Sequence, residues 1–299
     1  MLYQHQLKVL EKNESRLGIW HDVGLGKTVL AIQLAEKNGG NYLIITTKSL
    51  KENWRNEIAM WTQKKANYHV VSKEEFRRDW ELLSNWDGVI VDEFHYFGNF
   101  KSALHKALYH WLKKNKPRFI WGLTATPIMA SCLSVWALSR LLGRSLGSYW
   151  EFFNKYFYKI RMGYRDIPIQ KKGIEKALAA DLRSIGSVVS KEEALDLPEQ
   201  IHKYEYFELT KEQNKAIKDL DNDPATTAAI VYNTKCLQIA NGTLKTETSF
   251  IKIPNEKIPR LLEIIGRFQR VVIVARHTAE LFNLREHLPD AFLYYGGIK

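Results

Sequence analysis

The chain is poor in cysteine, in membrane-length apolar runs and in acid relative to base, and each shortage excludes something. Its 299 residues include two cysteines. Cys132 and Cys236 stand far apart and neither belongs to a CxxC pair. A zinc site or disulfide framework is therefore not indicated, and a reducing compartment is expected. No apolar stretch approaches the ~18 residues that cross a bilayer. The opening MLYQHQLKVL has no signal-peptide pattern. Internal repeats and low-complexity tracts are missing too. What is present is a 45% apolar composition, enough at this length to bury the core of one large domain or two smaller ones. Lys and Arg number 44 against 33 Asp and Glu, a net charge of +11. That excess favours a polyanionic partner, of which nucleic acid is the usual one.

Strand-length apolar runs alternate with helix-length amphipathic stretches through the first 140 or so residues. Strands are expected at Leu17–Trp20, Tyr42–Thr46, Tyr68–Val71, Gly88–Val91 and Phe119–Leu123. Helices are expected near Lys27–Lys37, Leu50–Trp61, Lys73–Leu83, Ser102–Lys114 and Ile128–Leu142. Such alternation predicts an α/β fold, a mostly parallel sheet with helices on both faces, whose ligands bind beyond the carboxyl ends of the strands. The pattern changes after Gly143. Ser148–Tyr164 is dense in aromatics, and Lys171–Ser190 reads as helical. A second alternating region offers strands at Lys203–Leu209, Val271–Ala275 and Ala291–Tyr294. Its helices are expected at Lys211–Leu220, Thr226–Ala240, Ile258–Phe268 and Thr278–Leu288. The expected division is a first lobe over 1–145, a helical, aromatic-rich connecting segment over 146–199 and an incomplete second lobe over 200–299.

Two segments carry recognisable chemistry. Gly24, Gly26, Lys27 and Thr28 follow a strand and open a helix. Glycines let the backbone turn its N–H groups toward a phosphate, and the helix N-terminus adds a favourable field. Lys27 would reach the β- and γ-phosphates of ATP, and the Thr28 hydroxyl would ligate Mg²⁺. His21 stands where the common GxxxxGK[ST] pattern has glycine. Asp92 and Glu93 end an apolar strand, where one carboxylate can hold hydrated Mg²⁺ and the other can orient or deprotonate water.

HDVGLGKT, DEFH (Asp92–His95) and LTATP (Leu123–Pro127) resemble motifs I, II and III of superfamily 2 helicase-type ATPases, closest to the Swi/Snf-like branch of DNA translocases. LYQHQ (Leu2–Gln6) resembles the segment that reads adenine in that family, which implies a base contact for Gln6. Tyr42–Trp61 resembles motif Ia, with Thr47 where proline is usual. Leu146–Phe157, Val188–Gln200 and Glu208–Gln213 resemble the passage into a second lobe, and Val271–Leu288 resembles motif IV. The resemblance covers nearly the whole chain. It implies a RecA-like P-loop lobe followed by a partial second one, with Lys27 and Thr28 on phosphate and Mg²⁺, Asp92 on Mg²⁺ and Glu93 as catalytic base. It also implies that His95, Thr124 and Thr126 couple nucleotide state to nucleic-acid grip. Phe94 fills a place where alanine is commonest, a change expected to alter packing rather than chemistry.

Lys48 and Ser49, capping a helix after a strand end, are the expected contacts to a nucleic-acid backbone, and binding through a backbone is salt-sensitive and nearly sequence-independent. Double-stranded DNA is the expected partner. Trp150, Phe153 and Tyr156 could stack on bases, although aromatics at helical spacing favour core packing. The family's later motifs, one of which supplies arginine fingers, would follow Lys299. Since such fingers contribute roughly 10³–10⁵ in rate, the chain is expected to bind ATP and turn it over poorly unless a partner chain supplies one. Two alternatives stand beside the translocase reading: an RNA or DNA helicase of another superfamily 2 branch, and a catalytically silent nucleic-acid-binding module. No membrane partner is expected. The expected location is the cytoplasm, or the host cytoplasm if the source is viral.

Overall fold

The computed structural model describes residues 2–129, 131–162, 165–196, 201–221, 228–246 and 248–296. The chain divides into two compact units, Met1–Glu199 and Gln200–Lys299. In the first unit the strands are β1 (Arg16–His21), β2 (Gly40–Thr46), β3 (Ala66–Ser72), β4 (Gly88–Val91), β5 (Phe119–Leu123), β6 (Phe157–Met162), β7 (Arg165–Gln170) and β8 (Gly186–Val189). Its helices are α1 (Gln4–Lys12), α2 (Lys27–Asn38), α3 (Lys51–Trp61), α4 (Lys73–Asp79), α5 (Ala103–Asn115), α6 (Leu133–Leu142), α7 (Tyr149–Tyr156), α8 (Glu175–Ile185) and the short α9 (Lys191–Ala194).

Six strands form one sheet in the order β3-β2-β4-β5-β1-β8, and every pairing in it is parallel. The near-continuous apolar runs of β4 (GVIV) and β5 (FIWGL) are what a strand covered on both faces requires. Side chains alternate between two apolar layers, as strand geometry dictates. Leu43, Ile45, Val89, Val91 and Ile120 join one core with Trp111 and Leu138. Ile44, Ile90, Leu17, Ile19 and Trp121 join the other with Leu30 and Trp54. Within the first of these cores Trp20 and Phe94 lie nearly parallel, ring centroids 6.2 Å apart. They occupy space left by glycines. A Cβ on Gly18 or Gly186 would fall within 2.5 Å of the Trp20 indole, and one on Gly122 would fall 2.2 Å from the Phe94 ring. Phe94 thus fits beneath the strand ends because β5 carries a glycine there.

The five expected strands of the first lobe form, each within two residues of its expected ends. Other expectations need correction. Lys171–Ser190 is helical only over α8, after which the chain straightens into β8 and joins β1 at the sheet edge. The helix expected from Ile128 begins at Leu133, and the one expected to reach Leu83 ends at Asp79 with a 3-10 turn over Trp80–Leu82. The aromatic stretch makes α7 and an antiparallel hairpin of β6 and β7. Phe153 and Tyr156 are buried in the core and Trp150 is exposed, so two of the three rings considered for stacking are packing residues.

The second unit holds α10 (Lys211–Asp221), α11 (Ala229–Ala240), α12 (Lys257–Ile265), α13 (Thr278–His287) and an antiparallel pair, β9 (Thr243–Lys245) and β10 (Phe250–Lys252). Its small core centres on Leu220, Ile239 and Ile253. The runs expected as strands at Lys203–Leu209, Val271–Ala275 and Ala291–Tyr294 are unpaired chain, and Tyr204, Tyr206, Val272, Val274, Phe292 and Tyr294 are exposed along them. Apolar alternation marks a segment able to pair, but a strand also needs a neighbour in register. Residues 197–200, the tail of the expected segment Val188–Gln200, and residues 297–299 lie outside the described residues, as does the expected start of the helix at Thr226.

Candidate nucleotide-binding site

β1 ends at His21, and residues 22–26 form a loop into the first turn of α2. Gly24 (φ 86°) and Gly26 (φ 68°) both lie in the left-handed region, which glycine enters without steric cost. Gln6, buried on α1, fastens this loop from behind. Its Nε2 donates to Gly26 O (3.0 Å) and Leu25 O (3.4 Å), while Tyr3 N–H donates to its Oε1 (2.8 Å). The residue expected to read adenine here spends its amide nitrogen on the loop backbone and its amide oxygen on the N-cap of its own helix. Lys27 lies across the loop's start, with Nζ donating to His21 O (2.8 Å) and Asp22 O (3.1 Å). Burial lowers its ammonium pKa, and Glu93, Asp92 and Asp22 act in the opposite direction. Asp22 follows β1, Asp92 and Glu93 follow β4, and Lys27 opens α2 at the same carboxyl edge of the sheet.

His21 occupies its unusual place for a reason visible in the sheet. It is fully buried, its Nε2 shares a hydrogen bond with Ser187 Oγ on β8 (2.9 Å), and Nδ1 has no partner among the described residues. Burial, with help from His5 and Lys27, pushes its pKa down to about 3, so it is neutral at physiological pH.

Asp92 is held by three donors. Thr46 Oγ1 (2.9 Å) and Trp54 Nε1 (2.8 Å) donate to Oδ2, and Glu93 N–H donates to Oδ1 (2.9 Å). Glu93 itself adopts φ 46°, ψ 49°, a left-handed conformation that costs an L-residue roughly 1–2 kcal/mol. That turn places its carboxylate 3.2 Å from His95 Nδ1. The same nitrogen lies 2.9 Å from Thr124 Oγ1, which accepts the Thr126 N–H (3.1 Å). A polar chain therefore runs from Glu93 through His95 to the segment after β5. Burial lowers the His95 pKa, Glu93 and Asp92 raise it, Lys73 lowers it, and the net direction is down.

Thr28, half-buried in the first turn of α2, and Asp92 offer oxygen donors alone, which suits Mg²⁺. Among the described residues no three His, Cys, Asp or Glu side chains form a metal-binding group. A magnesium ion carried in by nucleotide needs no such cage, because one or two protein oxygens suffice beside phosphate and water. Lys48 and Ser49 sit apart from this cluster, exposed on the 3-10 turn Lys48–Leu50 after β2.

Sequence reasoning did not anticipate several members of the site. Thr46 and Trp54 orient Asp92, Ser187 anchors His21, and the N–H of Lys191 donates to Asp22 Oδ2 (2.9 Å). The VVSKEE run held a usable signal, two β-branched residues ahead of a Ser190–Glu193 capping box.

A family model described as the SNF2-related domain matches residues 66–271. The match begins at β3, so the loop 22–26 lies outside it. Among curated proteins, the chain is 26% identical over 180 residues to the ISWI chromatin-remodeling complex ATPase ISW1 of Saccharomyces cerevisiae, covering 50% of this chain. It is 31% identical over 182 residues to the probable ATP-dependent DNA helicase CHR12 of Arabidopsis thaliana, covering 48% of this chain. The chain spans 16% of the length of each of these relatives. Among solved structures, the Sulfolobus solfataricus SWI2/SNF2 ATPase core in complex with dsDNA superposes with a TM-score of 0.52 at 21% identity, covering 89% of this chain and 64% of that one. The similarity shows a shared fold. With the matched model covering more than half of its residues, the chain belongs to the SNF2-related domain family.

Proposed function

We propose that this chain is the ATP-binding core of a DNA-dependent ATPase that translocates on duplex DNA. The observation that carries the reading is the position of the Lys27 loop after β1 and of Asp92 and Glu93 after β4, both at the carboxyl end of one parallel sheet, with Glu93 joined through His95 to Thr124. In this reading the loop 22–26 and Lys27 bind the nucleotide phosphates, and Gln6 sets the loop's position. Thr28 and Asp92 would hold Mg²⁺, which when bound would neutralise phosphate charge. Glu93 orients and deprotonates water, and its left-handed backbone aims the carboxylate. Thr124 and Thr126 register the state of Glu93 through the neutral His95 ring and pass it on to the nucleic-acid-facing surface.

Duplex DNA is supported as partner by the net charge of +11, by a relative named as a DNA helicase and by a structural neighbour solved on dsDNA. Lys48 and Ser49 would contact its backbone, so binding would be salt-sensitive and indifferent to sequence. Residues 1–199 would form the ATP-binding lobe, the segment 146–199 expected as a connection supplying its edge strand β8, and 200–299 part of a second lobe. Hydrolysis by this chain would be slow unless an arginine finger reaches the γ-phosphate, since such a group contributes roughly 10³–10⁵ in rate. A finger supplied from elsewhere would complete the site.

The test is ATP turnover with and without duplex DNA for the wild type, Lys27→Ala and Glu93→Gln. Duplex DNA should raise wild-type turnover, Lys27→Ala should abolish it, and Glu93→Gln should cut it by about 10²–10⁴ while leaving ATP bound. Turnover unaffected by either substitution would refute the assignment. Lys27-dependent ATP binding with no turnover under any DNA condition would instead favour a silent binding module.

A further inference from the structure

We propose that Lys191 is a second phosphate-binding cation of the loop 22–26, reaching it from the end of β8 and tying nucleotide occupancy to the segment that leads out of the first unit. The proposal rests on the nucleotide-site reading above.

β8 runs parallel to β1, with Trp20 opposite Val188 and His21 opposite Val189, so both strands open at the same edge of the sheet. Ligands of parallel sheets collect at that edge. There the two segments are joined in both directions: Asp22 N–H donates to Val189 O (3.0 Å), and Lys191 N–H donates to Asp22 Oδ2 (2.9 Å). This backbone clamp brings the Lys191 side chain over the loop. Among the described residues outside the loop's own neighbours, one atom lies within 4 Å of where a Cβ on Gly24 would stand. It is Lys191 Cε, at 4.0 Å, one bond from the ammonium. Lys191 is half-buried, and its ammonium makes no salt bridge among the described residues.

The chemistry needs such a group. A nucleoside di- or triphosphate brings several negative charges to a loop whose other lysine, Lys27, already lies against His21 O and Asp22 O. A second ammonium shares that charge, and a lysine suits the task because it acts as a point charge needing no bidentate geometry. The location adds a consequence. Lys191 lies a few residues before the boundary between the units at 199/200. Phosphate held by Lys191 therefore secures the start of the connection to the second unit.

Lys191→Ala separates side chain from clamp, since the clamp uses the main-chain N–H. Binding of ATP, ADP and AMP with Mg²⁺ to the full chain, measured by calorimetry, is compared for the wild type, Lys191→Ala, Lys191→Arg and Lys27→Ala. Lys191→Ala should weaken ATP and ADP roughly tenfold, change AMP by less than about twofold, and be largely rescued by Lys191→Arg. ADP should slow amide exchange over residues 189–196 in the wild type and not in Lys191→Ala. Unchanged ATP and ADP binding by Lys191→Ala, beside a loss in Lys27→Ala, overturns the role of Lys191 alone. Equal weakening of all three nucleotides also overturns it, since that marks a loosened loop. Wild-type affinity in Lys27→Ala would defeat the nucleotide-site reading itself.

Discussion

At the scale of single residues, the polar groups of the site are set by what surrounds them. His21 is buried, neutral and joined to Ser187, with His5 and Lys27 as the charged or chargeable groups beside it. Its folded pKa of about 3 lies below the ordinary value of 6.5. Between those values the unfolded chain binds a proton that the native state refuses, so stability falls as pH drops below 6.5 toward 3. By about pH 5 the loss due to His21 amounts to about 2 kcal/mol. His21→Asn removes the titration. Its unfolding free energy, taken from urea melts at about pH 7.5 and about pH 5, should drop between the two by about 2 kcal/mol less than that of the wild type. Equal drops would show that His21 does not contribute to the acid sensitivity. Glu93 illustrates the other side of residue-scale physics, because its approach to His95 and its left-handed backbone come from one turn.

At the scale of elements, β8 is the strand to which the loop 22–26 is tied. It docks because Trp20 lies over two glycines, Gly18 on its own strand and Gly186 on β8, and donates through Nε1 to Leu182 O. A side chain at 186 would meet Trp20 Nε1 at 2.3 Å and Gly18 O at 2.4 Å. Gly186→Val should therefore cost about 1–3 kcal/mol. It should also raise amide exchange across residues 186–191 and weaken ATP binding, since the Asp22 clamp is carried by the end of β8. A wild-type urea midpoint together with unchanged ATP affinity would mean that the loop does not need the strand. The same logic explains Phe94, a large ring accepted because β5 offers Gly122 beneath it.

At the scale of the whole molecule, the division at 199/200 predicts separable behaviour. The six-stranded sheet, both large apolar layers and all of the proposed nucleotide contacts belong to the first unit. A fragment of residues 1–199 should fold alone and bind ATP within about threefold of the full chain, as expected of a unit with its own core. Calorimetry of the full chain should show the first unit melting in its own transition, the one that ATP raises. A fragment that is unfolded, or folded without ATP affinity, would show that the second unit is needed to build the site. Among the described residues no helix is long and apolar enough to cross a membrane.

Much of this molecule was determined by its sequence. The apolar runs of β2, β4 and β5 read as covered strands, and the glycines before Lys27 read as a tight loop. Those are local properties, in which period, bulk and backbone freedom act within a few residues. The placement of Lys27, Asp92, Glu93, His95 and Thr124 along strand ends was legible for the same reason. Tertiary structure alone decided the rest. β8 is four residues long and follows a helix, so its strand character appears only where β1 offers an unpaired edge. Thr46 and Trp54 meet Asp92 from 46 and 38 residues away, and Lys191 meets Asp22 from 169. The engagement of Gln6 with the loop backbone likewise depends on how α1 packs behind residues 25 and 26. A pattern in sequence reports which groups a segment can offer, whereas which of them meet is fixed by the order of strands in the sheet.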